Sequence, residues 1–333
     1  MSGAKHITVL GDGGWGTALA ILLTKKGNRV TLWGNFPDYV ERLRTTRENE
    51  KFLPGIRLPK ELTLTASIED ALRDVALAVA AVPVIYLRAT MEKIAPRYPK
   101  AVPIVSVAKG IENESLLLAS QVIAGVIGGV PIATLLGPSH AEEVARGLPT
   151  SVVASSADMA LAEVVQATFM TDRFRVYTNP DTLGAELGAA LKNVIAIASG
   201  ICDGLGFGDN AKAALITRGL AEIARLGVAM GADPRTFAGL TGLGDLITTC
   251  VSPYGRNHAV GQAIGKGKTL KQVLDGMEQV AEGIWTTKSA CALARRRGVE
   301  MPIAEQVHEV LFRDKPPLQA VSDLMLRGAK AED

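Results

Sequence analysis

The sequence contains little cysteine and no marked excess of charge of either sign. Its 36 basic and 34 acidic residues nearly cancel, and it lacks a basic run or a basic patch with interleaved aromatic residues, so nothing indicates nucleic-acid binding. The three cysteines, Cys202, Cys250 and Cys291, are widely spaced and form no CxxC pair. We therefore expect no disulfide framework, no metal site and a cytoplasmic protein in a reducing compartment.

Uninterrupted apolar runs long enough to cross a membrane are also missing. Residues 75–87 are too few to span a bilayer, and Pro83 interrupts them. Residues 116–136 are numerous enough, but they include a Gly-Gly pair and Pro131, so a helix, a turn and a buried strand explain them better. A strand pattern begins at Ile7, which leaves no room for a signal peptide, and we expect a soluble protein with no stable membrane insertion.

The first half of the chain contains short apolar segments separated by helical ones. With 333 residues, the chain is long enough for about two domains. Continuous apolar strands that alternate with helices are typical of an α/β fold with a doubly wound, mostly parallel sheet. The predicted strands cover residues 7–10, 29–33, 77–82, 104–108, 134–136 and 151–154.

The pattern changes near Asn179-Pro180. After this point strand patterns disappear, and segments rich in Ala, Leu and Gly predict helices only. The sequence therefore predicts an α/β domain over residues 1–180 and an all-α domain over residues 181–333. The predicted helices of the second domain include residues 183–199, 212–230, 269–272, 286–297, 303–312 and 318–326.

A glycine-rich turn with the sequence GDGGWG, residues 11–16, lies between the first predicted strand and the first predicted helix. In this context the GxGxxG pattern is the fingerprint of a Rossmann-like, dinucleotide-binding domain. Gly11 allows the tight turn, Gly13 lets the backbone approach a pyrophosphate, and Gly16 lets the helix pack on the sheet. The helix N-terminus then points free N–H groups at the phosphates. We predict that this domain binds NAD or NADP.

The residues after the second predicted strand leave the choice of nucleotide open. NAD-selective domains usually carry an acid about 20 residues after the glycine-rich turn, for the ribose 2′-hydroxyl. Here Trp33 is followed by Gly34 and Asn35, and the next acid is Asp38. The missing acid favours NADP or dual use. Three arginines further on are more simply explained as a solvated helix face: Arg42, Arg44 and Arg47.

Polar residues follow two of the later strands. Lys109 directly follows the fourth predicted strand, and a turn at residues 137–141 follows the fifth. Because ligands of open α/β sheets lie beyond the carboxyl ends of the strands, Lys109 either contacts a substrate oxygen or solvates the strand end, and the turn suits an anion. Ser139-His140 lacks a GxSxG elbow, so we interpret His140 as structural. The remaining histidines are predicted at the surface: His6, His258 and His308.

Lys192 is the only charged residue between Glu186 and Asp203, in a segment that is otherwise small or apolar apart from Asn193 and Ser199. Burying an ammonium group is costly unless it has a partner or a chemical role. A desolvated lysine is suited to donate and accept protons near neutral pH. The alternative is a lysine that extends its head group to water along an apolar helix.

Two glycine-rich turns follow in the helical domain. Residues 241–245 end on Asp245, with Thr249 one helical turn later. Arg256 and Asn257 follow Gly255 at the start of a predicted helix, where fixed donors and the helix dipole suit a phosphate. Each turn alone is more often an ordinary loop, but together with the two lysines they supply a carboxylate, a hydroxyl and an anion site.

These motifs resemble those of the bacterial glycerol-3-phosphate dehydrogenases. The matching stretches are collinear and span nearly the whole chain, which makes the resemblance specific to that family and not only to Rossmann-like proteins. They cover residues 11–20, 49–55, 81–83, 109–110, 137–143, 190–198, 203–208, 214–219, 242–246, 256–257 and 280–283.

The resemblance implies a reversible, NAD(P)H-dependent reduction of dihydroxyacetone phosphate to sn-glycerol 3-phosphate, without a metal, that supplies phospholipid synthesis in an often dimeric protein. It implies that Lys192 is the proton donor and acceptor, accompanied by Lys109, Asp245 and Thr249. The implied substrate-binding positions are Lys109, Gly137, Ser139, Lys192, Asn193, Asp245, Gly255, Arg256 and Asn257. The implied cofactor-binding positions are Gly11, Gly13, Gly14, Trp15, Gly16, Gly34, Lys109, Ala141, Arg256, Val280 and Glu282.

Two positions depart from the family pattern. Asp12 stands where a small residue is usual, and its charge is unfavourable near a pyrophosphate unless it points to solvent. Gly34-Asn35 stands where a basic residue is common, which puts NADP preference in doubt. Two other interpretations are a 3-hydroxyacid dehydrogenase of the 6-phosphogluconate type, which would need a carboxylate-bearing substrate, and a non-catalytic NAD(P) sensor, against which the set Lys109, Lys192 and Asp245 argues.

Overall fold

The computed structural model, which describes residues 5–277, 280–329 and 331–332, has strands followed by helices, as the sequence predicts. The chain forms two compact units. The first comprises Met1–Lys109 and Leu117–Glu186, and the second comprises Gly110–Leu116 and Leu187–Asp333. The final division therefore falls inside one long helix, and a short segment after Lys109 belongs to the second unit.

The first unit is built around a large sheet. Its strands are β1 (His6–Leu10), β2 (Arg29–Trp33), β3 (Glu48–Asn49), β4 (Leu53–Arg57), β5 (Thr63–Thr65), β6 (Leu77–Ala80), β7 (Ile104–Ser106), β8 (Ile132–Leu136), β9 (Thr150–Ser155) and β10 (Phe174–Asn179). Within the described residues, eight strands form one sheet in the order β10-β9-β8-β7-β6-β1-β2-β5, and β3 pairs with β4 separately. All ladders of the large sheet are parallel except the antiparallel β8–β9 ladder. The predicted mostly parallel sheet is confirmed.

Helices cover both faces of this sheet. They are α1 (Gly14–Lys25), α2 (Pro37–Thr46), α3 (Ile68–Leu72), α4 (Val84–Ile94), α5 (Ala119–Ile127), α6 (Ala141–Ala145) and α7 (Met159–Phe169), with a 3₁₀ turn at Ala95–Arg97. Successive side chains of a strand point to opposite faces, so Val9 packs in one core with α1, α2, α6 and α7 while Leu10 packs in another with α3, α4 and α5. This two-sided burial explains why the strands are apolar throughout.

The interior of β1 includes one polar side chain that we expected at the surface. His6 is only 6% exposed, so that expectation is wrong. Its Nδ1 lies 2.8 Å from the carbonyl oxygen of Arg73, and its Nε2 lies 2.9 Å from the hydroxyl of Thr31. Burial lowers the pKa of His6, which favours the neutral form of the ring between these two partners.

The second unit is helical. Its helices are α8 (Thr182–Gly204), whose first turn belongs to the first unit, α9 (Asp209–Ala229), α10 (Pro234–Phe237), α11 (Asp245–Val251), α12 (Arg256–Gly265), α13 (Leu270–Asp275), α14 (Glu282–Arg297), α15 (Pro302–Phe312) and α16 (Pro317–Met325). Among the described residues, one helix, α8, is long and apolar enough by composition to cross a membrane, and its most apolar stretch is entirely buried in the structure. A core helix passes the same test, and α8 is such a helix.

Glycines let α8 and α12 cross at very short range. A Cβ atom on Gly200 would lie 2.0 Å from the carbonyl oxygen of His258, and one on Gly261 would lie 1.9 Å from that of Ile197. Both distances are far below van der Waals contact, so no side chain fits at either position. The same crossing continues one turn later at Gly204 and Gly265.

A buried carboxyl group of α9 caps the start of α15. Glu222, only 3% exposed, accepts hydrogen bonds from the backbone N–H groups of Ile303 at 2.8 Å and Ala304 at 3.3 Å. Burial raises the pKa of Glu222 to about 7 despite these donors. Its folded-state pKa therefore lies above its unfolded-state value, so this group makes folding less favourable as pH rises from about 4.5 to about 7.

We expect Glu222→Gln to reduce this pH dependence. The neutral variant should gain stability relative to the wild type between pH 5 and pH 8, by up to about 3 kcal/mol, because only the wild type must ionise a buried group. Chemical unfolding of both proteins at the two pH values measures this difference, and other titrating groups cancel in the comparison. If the difference in free energy of unfolding between the two proteins does not change with pH, the pKa of Glu222 is not raised by burial.

Candidate active site

The glycine-rich turn has the tight geometry that its sequence predicts. Gly11 has φ of +116°, and a Cβ atom there would lie 2.5 Å from the carbonyl oxygen of Ala81. A Cβ atom on Gly16 would lie 2.0 Å from the carbonyl oxygen of Gly11, so α1 packs directly on the turn. In contrast, a Cβ atom on Gly13 would meet nothing within 4 Å. The turn therefore leaves open space beside the N-terminus of α1, which is where a dinucleotide pyrophosphate fits.

Asn49 holds this turn in place, and no role for it followed from sequence reasoning. The side chain is fully buried, and its Nδ2 donates to the carbonyl oxygen of Asp12 at 2.8 Å and to the hydroxyl of Thr17 at 2.7 Å. Its Oδ1 accepts from the Tyr39 hydroxyl at 2.6 Å and from the Phe52 N–H at 3.2 Å. Both ends of one amide thus fix the turn to the β3–β4 segment. The only sequence signal for it is its place in the family-like stretch 49–55.

The polar residues at the ends of β7 and β8 come together in the first unit. Lys109 donates from Nζ to the carbonyl oxygen of Gly137 at 2.7 Å and lies 3.5 Å from the hydroxyl of Ser139. Gly137 has φ of +135°, and Ser139 donates back to its carbonyl oxygen at 2.9 Å. Ala141 begins α6, and its Cβ would be 3.8 Å from a Cβ on Gly14. These residues form a polar group beyond the strand ends.

In the second unit, Lys192 of α8 is buried with partners on α11. The side chain is 5% exposed, and its Nζ lies 2.8 Å from Asp245 Oδ1 and donates to the hydroxyl of Thr249. Thr249 in turn donates to the backbone carbonyl oxygen of Asp245 at 2.7 Å. The alternative of a lysine that reaches water along an apolar helix is therefore wrong. The ammonium group lies inside the unit, fixed by a carboxylate and a hydroxyl.

A close approach of two backbone segments brings Lys192 on α8 next to its partners on α11. A π turn at Leu240–Gly244 precedes α11, and a Cβ atom on Gly188 would lie 2.7 Å from the carbonyl oxygen of Thr241. Gly188 lies one turn before Lys192 on α8. The absence of a side chain at this position lets the start of α11 approach α8 closely enough for the ion pair.

The predicted phosphate clamp divides into an exposed and a buried residue. Arg256 is exposed in the first turn of α12, which begins after Gly255. Asn257 is 8% exposed, and its Nδ2 donates to Asn193 Oδ1 at 2.9 Å while its Oδ1 accepts from the Gly283 N–H at 3.0 Å. Asn257 thus links α8, α12 and the start of α14, next to the implied cofactor positions at Val280 and Glu282.

Comparison with known proteins agrees with this arrangement. Residues 6–162 match the N-terminal family and residues 181–322 the C-terminal family described as NAD-dependent glycerol-3-phosphate dehydrogenase. Glycerol-3-phosphate dehydrogenase [NAD(P)+] 2 of Salinibacter ruber is 51% identical over 99% of this chain and 96% of its own. The Citrifermentans bemidjiense enzyme is 50% identical over 99% of both chains. The crystal structure of glycerol-3-phosphate dehydrogenase from Coxiella burnetii superposes with a TM-score of 0.94, at 38% identity, covering 97% of this chain and 99% of that one.

The chain belongs to the NAD-dependent glycerol-3-phosphate dehydrogenase family. This confirms the resemblance and the NAD(P)-dependent dehydrogenase class that the sequence indicated. Within the described residues, no three His, Cys, Asp or Glu side chains come together as a possible metal site.

One departure from the family pattern has a clear structural outcome. We considered that Asp12 points to solvent, but a Cβ atom on Gly34 would lie 2.2 Å from Asp12 Oδ2. Asp12 Oδ2 is itself buried and has no hydrogen-bond partner among the residues that the structure describes. The carboxylate of this dehydrogenase therefore turns inward, against the end of β2.

Proposed function

We propose that this chain catalyses the reversible NAD(P)H-dependent reduction of dihydroxyacetone phosphate to sn-glycerol 3-phosphate. The observation that carries the proposal is the buried Lys192–Asp245–Thr249 group in a member of this family. When bound, the nicotinamide nucleotide supplies and removes the hydride. The first unit fits that nucleotide because Gly13 opens onto free space at a helix N-terminus and Trp15 Nε1 is buried without a partner among the described residues.

The proposed role of Lys192 is proton transfer at the substrate oxygen. During reduction, negative charge builds on the carbonyl oxygen, and an ammonium group can donate a proton to it. Asp245, at 2.8 Å, favours the charged form of Lys192 before the proton leaves. Thr249 restricts the orientation of the ammonium group, which reduces the ordering needed at the moment of reaction. In the oxidation direction the same amine accepts the proton.

The proposed substrate-binding residues supply cations and N–H donors. Lys109 and Ser139 are suited to a substrate oxygen, because they present an ammonium and a hydroxyl group beyond the strand ends. Arg256 combines a permanent charge with the N-terminus of α12, which suits the phosphate group. Asn193 and Asn257 hold α8 and α12 in register through their mutual hydrogen bond. Binding the remote phosphate aligns the carbonyl for reaction.

Arg256→Ala should mainly weaken binding of the phosphorylated substrate. Losing a charge-assisted contact of about 1.5–3 kcal/mol corresponds to a rise of about 10- to 100-fold in KM for dihydroxyacetone phosphate. The low activity expected with unphosphorylated dihydroxyacetone should not fall, because that ketone lacks the phosphate. Steady-state kinetics with both ketones measures the effect, and Arg297→Ala, an exposed arginine in the last turn of α14, is the matched control. An unchanged KM would remove Arg256 from phosphate binding.

The wider setting is part of the same proposal. Residues 1–180 would form the nucleotide-binding domain and residues 181–333 the helical substrate domain. The enzyme would be a cytoplasmic homodimer that makes glycerol 3-phosphate for phospholipid synthesis. The test is NADH and NADPH consumption by the purified protein with dihydroxyacetone phosphate. Folded protein that binds a nucleotide but turns over only a carboxylate-bearing substrate would favour the 3-hydroxyacid dehydrogenase instead.

A further inference from the structure

The end of β2 lacks the acid that NAD-selective domains use, but an acid from another segment reaches the same place. Gly34 follows β2 and is buried, and a Cβ atom there would lie 2.2 Å from Asp12 Oδ2. The Asp12 carboxylate therefore occupies the space that a side chain at position 34 would otherwise fill. Gly34 and Asp12 are therefore complementary: because Gly34 has no side chain, the Asp12 carboxylate has room beside it.

Hydrogen bonds fix the backbone around Asp12, so the fold determines that its carboxylate points toward Gly34. The carbonyl oxygen of Asp12 accepts from Asn49 Nδ2 at 2.8 Å and from the Thr17 hydroxyl at 3.4 Å. The preceding residue, Gly11, donates its N–H to the carbonyl oxygen of Trp33 at 2.9 Å. The turn is thus tied to the end of β2 on one side and to the β3–β4 segment on the other.

A buried acceptor without a donor is costly, and a bound nucleotide can supply the donor. Asp12 Oδ2 has no hydrogen-bond partner among the described residues. The adenosine ribose of a dinucleotide lies near the end of β2 in folds of this type, with its 2′-hydroxyl available as a donor. The burial of Asp12 raises its pKa only to about 6, so at neutral pH it remains mainly a carboxylate.

We propose that Asp12 accepts a hydrogen bond from the adenosine ribose 2′-hydroxyl and makes this enzyme selective for NAD over NADP. The same carboxylate disfavours the 2′-phosphate of NADP, because two negative groups would share one desolvated space. This inference rests on the proposed nucleotide site of the first unit. It replaces our expectation, drawn from the missing strand-end acid, of NADP or dual use.

The cations near this strand end do not form an arginine clamp for a 2′-phosphate. Arg42 pairs with Glu50, Arg44 donates to the carbonyl oxygen of Leu64 at 2.7 and 3.0 Å, and Arg47 donates to the carbonyl oxygens of Pro59 and Leu62. Two of the three arginines therefore hold backbone carbonyls. The exposed Lys93 donates to Asn35 Oδ1 at 2.8 Å and lies over the Trp33 ring. Its positive charge would attract a 2′-phosphate and so act against the repulsion from Asp12.

The test measures binding of NADH and NADPH to the full chain by calorimetry, independently of turnover. The wild type should bind NADH more tightly. Asp12→Asn keeps an acceptor for the 2′-hydroxyl but removes the charge, so we expect NADPH affinity to rise about tenfold with little change for NADH. The matched control is Asp38→Asn, the next acid after β2, which should leave the NADH/NADPH ratio unchanged.

A change in the ligand tests the same contact without altering the protein. NADH lacking the adenosine 2′-hydroxyl should bind the wild type about tenfold more weakly, and it should lose little further affinity with Asp12→Ala. The inference is overturned if the wild type prefers NADPH, if Asp12→Asn leaves the ratio unmoved, or if the 2′-deoxy ligand binds as well as NADH. If any of these results is obtained while dihydroxyacetone phosphate is still turned over, the role of Asp12 is wrong but the proposed function stands. If the protein binds neither nucleotide, both the role of Asp12 and the proposed function are wrong.

Discussion

Replacing Lys192 with alanine should lower kcat by about 10²- to 10⁴-fold while NADH affinity stays near the wild-type value. The loss follows because Lys192 is the proposed proton donor. Its side chain is only 5% exposed, so bulk water does not readily take over the proton transfer in the variant. NADH affinity should persist because the glycine-rich turn belongs to the first unit. Steady-state kinetics gives kcat, and nucleotide fluorescence titration gives the affinity.

The alanine variant has a structural side effect that a second variant separates from catalysis. Without Lys192, Asp245 is a buried carboxylate 2% exposed that has lost its counter-ion, which typically destabilises a fold by several kcal/mol. Lys192→Arg keeps the positive charge beside Asp245 but holds its proton at all ordinary pH values. It should therefore retain more stability than the alanine variant and still lose most of kcat.

Lys212 provides the matched control for these substitutions. It is a partly buried lysine of the same unit, and its Nζ lies 2.6 Å from Asp203 Oδ1. Lys212→Ala should affect stability without a comparable loss of kcat. Recovery of activity in Lys192→Ala on adding a small primary amine would further identify proton transfer as the missing step. A Lys192→Arg enzyme with near wild-type kcat would exclude Lys192 from the acid/base role.

The elements that could be predicted from the sequence are those with strong local patterns. The central strands are apolar on both faces and the long helices of the second unit are rich in small and apolar residues, so both were found. The strands that were missed lie at edges. β10 alternates buried Phe174 and Val176 with exposed Arg175 and Tyr177, and it is held by its pairing with β9, a long-range contact that no local pattern reveals.

The same distinction applies to the site. Lys192 stands out because it is the only charged residue between Glu186 and Asp203 in an apolar helix, which is a local signal. Its partners on α11, Asp245 and Thr249, were singled out in a glycine-rich turn, but their role beside Lys192 followed only from the family resemblance. The Asn193–Asn257 hydrogen bond joins residues 64 positions apart, and the inward direction of Asp12 depends on Gly34 and Asn49. Contacts of this kind appear only in the folded chain. In the sequence, Asn193, Asn257 and Asp12 look like ordinary surface amides and an ordinary surface acid.

Gly261→Ala should unfold the second unit far more easily, although it adds only one methyl group. The new Cβ atom would lie 1.9 Å from the carbonyl oxygen of Ile197, and this backbone atom cannot move without shifting α8. Forced overpacking of this kind costs about 3 kcal/mol or more, which corresponds to a fall of roughly 10 °C in Tm for a unit of this size. Thermal unfolding followed by circular dichroism measures the change.

The control for Gly261→Ala is the same substitution at Gly125, inside α5, where a Cβ atom would meet nothing within 4 Å. Gly125→Ala should be neutral or stabilising by up to about 1 kcal/mol, because alanine favours a helix more than glycine does. Any folded Gly261→Ala protein should also bind dihydroxyacetone phosphate poorly. Separating α12 from α8 breaks the Asn257–Asn193 hydrogen bond and moves Arg256 away from Lys192. A Gly261→Ala protein that melts like the Gly125→Ala control would show that the α8–α12 crossing tolerates a side chain and does not hold the phosphate and proton-transfer residues in register.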